Sequence, residues 1–553
     1  MDREVYAYSC IGYHMVPNKR QDEHKLIAAL LHDIHMSHGV VFNTRSLKLT
    51  LKKVDSRLRF EGLSFLTKTL PRLGKAFDKA LTGHTRLSAT KLGFTAQFGS
   101  ELPIFMGEFF NLVLDPTGTV LSEPCADSVK VLREVLYLFY KYELPYTYEQ
   151  EQRVVSAFIK TESDISNLSS MFATLSRATD EHNANRPKFL CEGLTQVDVT
   201  REARKLLSRV FSGFDLTDII PRHGPGAVAT KQKLWGKYQW SNISDRIRKH
   251  YPVDAYFYAS LGHVCDNQNE LNSLTDHDLP AKVILVPKDS RGPRLISCEP
   301  VDFQWIQQGI SRSLVQQIEN LPITKLNVFF TDQSPNRCGA LLGSVAGKYS
   351  TLDLNEASDR VSIDLVRLLF PSHVFYVLES VRSSSTVLPD GQVLKLSKFA
   401  PMGSALCFPI LALSVWAILT AAAPDAETRE SLLVYGDDVI VPTAYAVNAI
   451  EQLESFGLKI NRDKSCTGGF FRESCGMDAF KGVQVTPLRL RTVWSSSPSP
   501  EVYTSWISYA NSFYIRKRFK CYDYIVSMLH HTYGEVPELG SHNTNLALIE
   551  VPG

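Results

Sequence analysis

Tyr435-Gly436-Asp437-Asp438 stands between two short apolar runs, Leu432–Val434 and Val439–Val441, in the stretch SLLVYGDDVIVP. Two runs of strand formers joined through a glycine predict a tight hairpin, because glycine supplies the positive φ such a turn needs. Two adjacent acids at its tip repel each other, and burial raises their cost unless a cation neutralises them. A divalent metal held by carboxylates accounts for the pair. A solvated turn is the plainer alternative, and the rest of the chain has to decide.

A third misplaced acid is Asp353, near the end of a strand expected over Ser350–Leu354, where strand propensity disfavours it. A helix is expected after it through Val361, Leu365 and Leu368. Residues 281–300, AKVILVPKDSRGPRLISCEP, predict another hairpin, with one strand over Lys282–Val286 and a second from Arg294. Its cations Lys288, Arg291 and Arg294 suit a triphosphate; pairing of Arg294 with Glu299 is the competing use. Residues 221–240 read PRHGPGAVATKQKLWGKYQW. There Arg222, His223, Lys231, Lys233 and Lys237 interleave with Trp235, Tyr238 and Trp240 around a Gly-Pro-Gly turn. Cations for phosphates and rings for bases suit single-stranded nucleic acid, although rings also build cores.

The elements that must position these residues are ordinary. The chain has 553 residues, 44% hydrophobic and 21% charged, enough for several sub-domains. Net charge is only +2, so a nucleic-acid surface has to be a local patch. The ten cysteines form no CxxC, which points away from a zinc site or disulfide scaffold and towards a reducing cytoplasm. The N-terminus, MDREVYAYSC, shows no basic region followed by an apolar core, so no signal peptide is expected. The uncharged stretch Phe399–Pro424 is long enough to span a bilayer, but Pro409 interrupts it and polar chemistry crowds both ends. It reads as a helix buried behind a sheet.

Asp22 is expected to cap a helix through Leu26, Leu30 and Ile34; His24, His32, His35 and His38 lie on or near it, three of them spaced as a metal site could be, but without a cysteine or another ligand type they read as surface or packing residues. Residues 61–81 predict helix with a kink or restart at Pro71, and its lysines and arginines read as a solvated face or a phosphate contact. Residues 101–220 read as mainly helical, with a turn at Asp115–Gly118 and a loop over Thr179–Pro187. An amphipathic helix should end at Gly457, a hairpin should fill 470–487, and a basic run, Arg516 to Lys520, marks the tail. No internal repeat or low-complexity tract is present.

Taken in order, PK…R…EP at 287–300, DLxxASD at 353–359, PMGS at 401–404, YGDD at 435–438, Lys464 and FRESCG at 471–476 resemble an RNA-dependent RNA polymerase. The sequence closely resembles the replicase subunit of the small positive-strand RNA bacteriophages, the leviviruses. The stretches GLSFLTKTLPRLGKAFD at 62–78 and HGPGA at 223–227 extend the likeness. The resemblance implies an α+β right hand with an antiparallel palm sheet packed on helices. Its implied parts are a bridging N-terminal region at 1–100, fingers at 101–345, palm at 346–485, and thumb and tail at 486–553.

It further implies RNA-templated nucleotidyl transfer with Asp353, Asp437 and Asp438 holding two Mg²⁺, for which Mn²⁺ or Ca²⁺ can substitute in binding. Lys288, Arg291 and Arg294 are implied on the triphosphate, Asp359, Gly403 and Ser404 at the nucleotide and its ribose 2′-hydroxyl, and Lys464 as general acid or electrostatic partner. The RNA contacts are expected at Arg222, His223, Lys231, Lys233 and Trp235. Implied partners are RNA template and product, NTPs, host elongation factors Tu and Ts and a small-subunit ribosomal protein, in the cytoplasm of an infected bacterium and away from membranes. One departure stands out. Many such polymerases carry Thr and Asn on the helix after the PMGS-like turn, where this chain has Cys407 and Pro409. A reverse transcriptase shares the palm, but Asp359 occupies the place where a DNA-making enzyme needs a steric block. A non-enzymatic RNA-binding protein would leave the three acids unexplained.

Overall fold

A computed structural model describes residues 21–181, 195–536, 538–539 and 549–550. Two compact units emerge, one from Met1–Phe77, Arg86–Leu144 and Pro487–Gly553, the other from Asp78–Thr85 and Pro145–Thr486.

The first unit is helical. Its helices include Gln21–His38, Thr44–Glu61, Ala126–Tyr137, Pro500–Ile515 and Phe519–Tyr533. Asp22 sits inside the first turn of its helix, and its carboxylate accepts from the Tyr524 hydroxyl instead of capping. His35 Nδ1 meets the Phe42 carbonyl and His38 Nε2 meets Asp127, so these histidines are packing groups. Pro71 follows a π-helical turn, Phe65–Thr69, which absorbs the interruption before the helix Leu70–Leu81. The basic tail run lies where two helices meet. There Arg518 is buried and grips Glu134 through Nε at 3.0 Å and Nη2 at 2.6 Å.

The second unit is α+β. Its strands are β1 (Ala281–Asp289), β2 (Gly292–Cys298), β3 (Tyr349–Asp353), β4 (Ser385–Val387), β5 (Val393–Lys395), β6 (Leu433–Tyr435), β7 (Asp438–Pro442), β8 (Phe471–Ser474), β9 (Met477–Phe480) and β10 (Val483–Gln484). The antiparallel sheet β3-β7-β6 is central, β2-β1-β4-β5 forms a second sheet and β10-β9-β8 a third. Helices Ser334–Ala346, Cys407–Ala422 and Ala446–Ser455 pack on the central sheet or its neighbours.

The apolar stretch after Phe399 becomes the helix Cys407–Ala422, buried from Pro409 to Ala422, with Pro409 harmless in its first turn. It is 16 residues long, and among the described residues no helix is long and apolar enough to cross a membrane. Each fully buried Leu or Ile there contributes about 1.5–3 kcal/mol, so the core accounts for its composition. The hairpins at 281–298, 433–442 and 471–480 form as expected. The helix after Asp353 begins later than expected: Val361 is extended and Ser362 caps Ile363–Leu369. Residues 179–181, expected in a loop, belong to the helix Ser169–Glu181; the rest of that stretch, like Cys10 and Cys191, lies outside the described residues.

Candidate active site

The acidic corner follows from strand register. Strand β3 pairs antiparallel with β7 so that Asp353 faces Asp438, and β6 pairs with β7 so that Tyr435 faces Asp438. Gly436 and Asp437 form the intervening two-residue turn. Gly436 has φ +62°, and a Cβ there would fall 1.9 Å from a Phe408 ring carbon, so only glycine fits. Leu352, Val439, Ile440 and Val441 are buried, which anchors the strands while their ends present acids.

Residues 460–466 run along the outer edge of β3. Bridges Leu354–Ile460 and Thr351–Cys466 bracket a loop that wraps around Asp353. From it Asn461 Nδ2 donates to Asp353 Oδ2 at 2.8 Å, and Lys464 Nζ stands 3.5 Å from Oδ1. Lys464 thus faces Asp353, while Asp463 pairs with Lys79 at 2.6 Å. The β8–β9 turn reaches Asp438 with Ser474 Oγ and Cys475 Sγ, and Asn336 Nδ2 holds the Asp438 carbonyl at 3.0 Å.

Charge in the corner is unbalanced. Solvent reaches Asp437, yet the surrounding protein partly desolvates it and raises its carboxyl, with Asp353 adding repulsion and Lys464 and Arg294 opposing it. Desolvation, then Asp437 and Asp353, pushes Asp438 up to about 6. Neither Asp437 nor Asp438 has an ion pair among the described residues. Hard carboxylate oxygens that repel one another fit a divalent cation. Among the described residues no three His, Cys, Asp or Glu side chains are grouped so as to hold a metal ion by themselves.

The β1–β2 hairpin brings its cations to the same corner. Lys288 is reached by solvent, but partial desolvation and the nearby Arg294, Arg291 and Lys464 lower its pKa. Its backbone N–H donates to the Tyr146 hydroxyl at 2.8 Å. Arg291 is clamped by Asp289 through Nε at 3.0 Å and Nη2 at 2.6 Å. The Arg294–Glu299 pairing does not form. Glu299 is buried, accepts from Ser383 and Gln307, and is raised by desolvation.

Gly403, at φ +119°, brings its loop onto β2: a Cβ would lie 2.2 Å from the Ser297 carbonyl oxygen. Ser404 corrects the expectation of a ribose contact. It is buried and its hydroxyl donates to Gln307 Oε1 at 3.0 Å, so it supports the loop from inside. Asp359, in the turn Ser358–Arg360, stands 3.4 Å from Lys398. Burial pushes the Cys407 thiol up to about 12, and both Asp359 and Asp437 add to that shift.

The basic and aromatic stretch divides. Arg222, Lys231 and Lys233 are exposed, and Trp235 is 86% exposed. His223 is corrected as a surface cation. Its ring packs among Tyr238, Trp240 and Trp305, its nitrogens are shielded, and burial pushes it down to about 4. Lys237 is buried too and ties the Gly224 and Gly226 carbonyls at 2.9 and 2.6 Å. Motif reading passed over Asn461 as an Asp353 partner, Cys475 beside Asp438 and Lys398 beside Asp359. Only the positive φ of Cys475 ahead of Gly476 had a local trace, in the dipeptide itself.

Residues 192–499 match the family model "RNA replicase, beta-chain", and the chain belongs to that family. It is 32% identical over 294 residues to the RNA-directed RNA polymerase subunit beta of Enterobacteria phage SP, covering 52% of this chain and 49% of that one. Likeness to the same subunit of Qbeta virus (strain MX1) is 35% over 272 residues, 49% of this chain and 44% of that one. In these alignments the chain spans about half the length of the curated relatives it matches. Among solved structures, the RNA-dependent RNA polymerase from bacteriophage phi12 aligns at TM-score 0.37 and 11% identity, over 84% of this chain and 78% of that one.

Proposed function

We propose that this chain is an RNA-directed RNA polymerase that copies a positive-strand RNA phage genome from NTPs with release of pyrophosphate. The observation carrying the reading is the register that sets Asp353 against Asp438, with Asp437 at the turn and Lys464, Lys288 and Arg294 around them. In this reading Asp353, Asp437 and Asp438 hold two Mg²⁺. Bound there, the metal supplies activation of the RNA 3′-hydroxyl and neutralisation of the leaving pyrophosphate. Lys288 and Arg294 bind the triphosphate. Arg291, fixed by Asp289, shapes the loop that presents them. Asp359 accepts from the ribose 2′-hydroxyl, and the loop at Gly403 and Ser404 backs the nucleotide. Lys464 holds a proton or a positive charge beside the departing anion. Arg222, Lys231, Lys233 and Trp235 take RNA phosphates and bases.

In the same reading residues 1–100 bridge fingers and thumb, 101–345 form the fingers, 346–485 the palm, and 486–553 the thumb and tail. The working enzyme assembles with host elongation factors Tu and Ts and a small-subunit ribosomal protein in the bacterial cytoplasm. The test is incorporation of ribo- against deoxyribonucleotides on an RNA template with and without Mg²⁺, using the chain alone and with host factors. Metal-dependent ribonucleotide addition is expected. A preference for deoxyribonucleotides, or RNA binding without any addition, would overturn it.

A further inference from the structure

Lys398 is completely buried, yet it carries a charge that no solvent reaches. Its ammonium lies 3.5 Å from Glu162 Oε1 and 3.4 Å from Asp359 Oδ1, over the face of the Phe158 ring. Burying a lysine is costly unless the charge is paired, and one cation shared by two acids leaves the cluster net negative. The backbone holds this arrangement in place. Glu162 accepts from the Ser397 and Lys398 N–H groups, the Ile363 N–H donates to the Ser397 carbonyl, and the Phe399 N–H donates to the Val361 carbonyl. Residues 397–399 are thereby laced to the segment that follows Asp359, while Arg360 is tied to Asp164.

Glu162 is already satisfied by two backbone N–H groups. The Asp359 Oδ1 has no hydrogen-bond donor in ideal geometry, although the Met402 N–H also favours the carboxylate, and the side chain keeps 19% exposure. Burial raises the Asp359 carboxyl, and the Lys398 ammonium is the chief group opposing that shift while its 3.4 Å contact aims the carboxylate.

We propose that Lys398 is a positioning residue for sugar selection, fixing Asp359 as a charged acceptor for the ribose 2′-hydroxyl of the incoming nucleotide. This rests on the reading of Asp359 given above. A site built to accept a hydroxyl rejects the analogue lacking it because its own polar group is then left unpaired. Without Lys398 the carboxyl is neutral or turned away, and that penalty disappears.

The full chain, with whatever partners its activity requires, is assayed for kcat/KM with NTPs and 2′-deoxy-NTPs. Asp359→Asn and Lys398→Met should each lower the ribo-to-deoxyribo ratio about tenfold to a hundredfold, the scale of one charged hydrogen bond, mainly through the KM for NTP. The double variant should lose no more than either single one. Because two buried carboxylates facing each other can unfold the chain, Lys398→Met is also made with Glu162→Gln, which restores the charge balance. Glu162→Gln alone leaves Asp359 the whole of Lys398 and should hold or raise the ratio. A wild-type ratio in Lys398→Met/Glu162→Gln beside a reduced ratio in Asp359→Asn would overturn the role of Lys398, as would a fall in Glu162→Gln alone. A wild-type ratio in Asp359→Asn would instead remove Asp359 from the ribose, and Lys398 with it.

Discussion

Glu134 in the helical unit and Asp438 in the mixed unit are both acids drawn from solvent, but the protein treats them differently. Glu134 receives a two-point grip from Arg518, and nearby Asp33 accepts the Lys520 and Cys521 backbone N–H groups at 2.9 and 3.0 Å. Arg518, Glu134 and Asp33 are each partnered, and the arrangement joins helices. Asp438 instead has a second acid beside it in sequence, a third opposite it in register, and weak hydroxyl and thiol neighbours, so its carboxyl is pushed up to about 6. A fold that can satisfy Glu134 so fully has no need to leave three carboxylates facing one another. The imbalance is what the proposed metal reading explains.

The sharpest way to break this comparison is to remove acid charge without changing shape. Asp353→Asn and Asp437→Asn should each cut nucleotide addition by roughly 10³-fold or more, the scale of several kcal/mol of metal-assisted stabilisation, while RNA affinity stays near wild type. Gel-shift and single-turnover assays check the two halves. Elongation near the normal rate in either variant would place that acid with Glu134, among structural groups.

Lys464 comes next. As a general acid it should lose on the order of 10²–10⁴-fold in chemistry when replaced by Leu, with partial recovery by His and a moved alkaline limb in the pH–rate profile. As a charge partner of Asp353, at 3.5 Å, it should be replaced by Arg without loss. Equal rates and pH profiles for Lys464→Arg and wild type exclude the general-acid role. On the balanced side, Glu134→Gln should cost about 3–5 kcal/mol, since it leaves Arg518 buried and uncompensated. Denaturant titration measures this, and the activity of folded molecules should be unaltered. A stability loss in Asp437→Asn as large as that in Glu134→Gln would erase the distinction between the two regions.

The turn Tyr435–Asp438 was legible in the sequence because its four residues are local, and Asp353 stood out as an acid in an apolar strand, but only the family resemblance brought the two together. The surroundings of the acidic corner were not legible. Asn461 meets Asp353 across 108 residues, and Glu162 meets the Lys398 backbone across 236, distances at which spacing carries no information. Ser404 and His223 misled for a related reason. Each is polar and beside glycine, which suggests an open loop, but Gln307 and three aromatic rings draw them inward. The helices and hairpins were readable from periodicity, whereas the start of the helix after Asp353 was set by Ser362 as cap, not by the apolar Val361.

The triphosphate cations sharpen the same contrast within one hairpin. Lys288 and Arg294 feel the acidic corner and its lysine; Arg291 is committed to Asp289. Lys288→Ala and Arg294→Ala should raise the nucleotide KM or lower kcat by about 1.5–3 kcal/mol each. Arg291→Ala should cost less in kinetics and act through the loop. Steady-state measurements showing Arg291→Ala to be the most damaging of the three would reverse the assignment.

The smallest effect expected concerns His223, whose burial among aromatic rings pushes it down to about 4, against about 6.5 in an unfolded chain. The sign follows from proton counting. Between these values the unfolded chain binds a proton that the folded chain refuses, so stability rises with pH; the contribution is present above about 6.5 and is lost as pH falls towards 4. One proton limits the slope to about 1.4 kcal/mol per pH unit, and the partial exposure of the ring lowers it further. Asp302 works in the opposite sense. Burial pushes it up to about 7, so it favours the folded state at low pH and loses that contribution as pH rises from about 4 to 7. The wild-type profile therefore mixes two opposed slopes, and only a difference is informative. Subtracting the unfolding free energy of His223→Phe from that of wild type cancels Asp302, which both proteins keep. The difference should move in favour of wild type as pH rises from 4 to 6.5 and stay level above it. A flat difference across that range would mean that His223 is protonated in the folded chain, and so free to act as the surface cation that its sequence neighbours suggested.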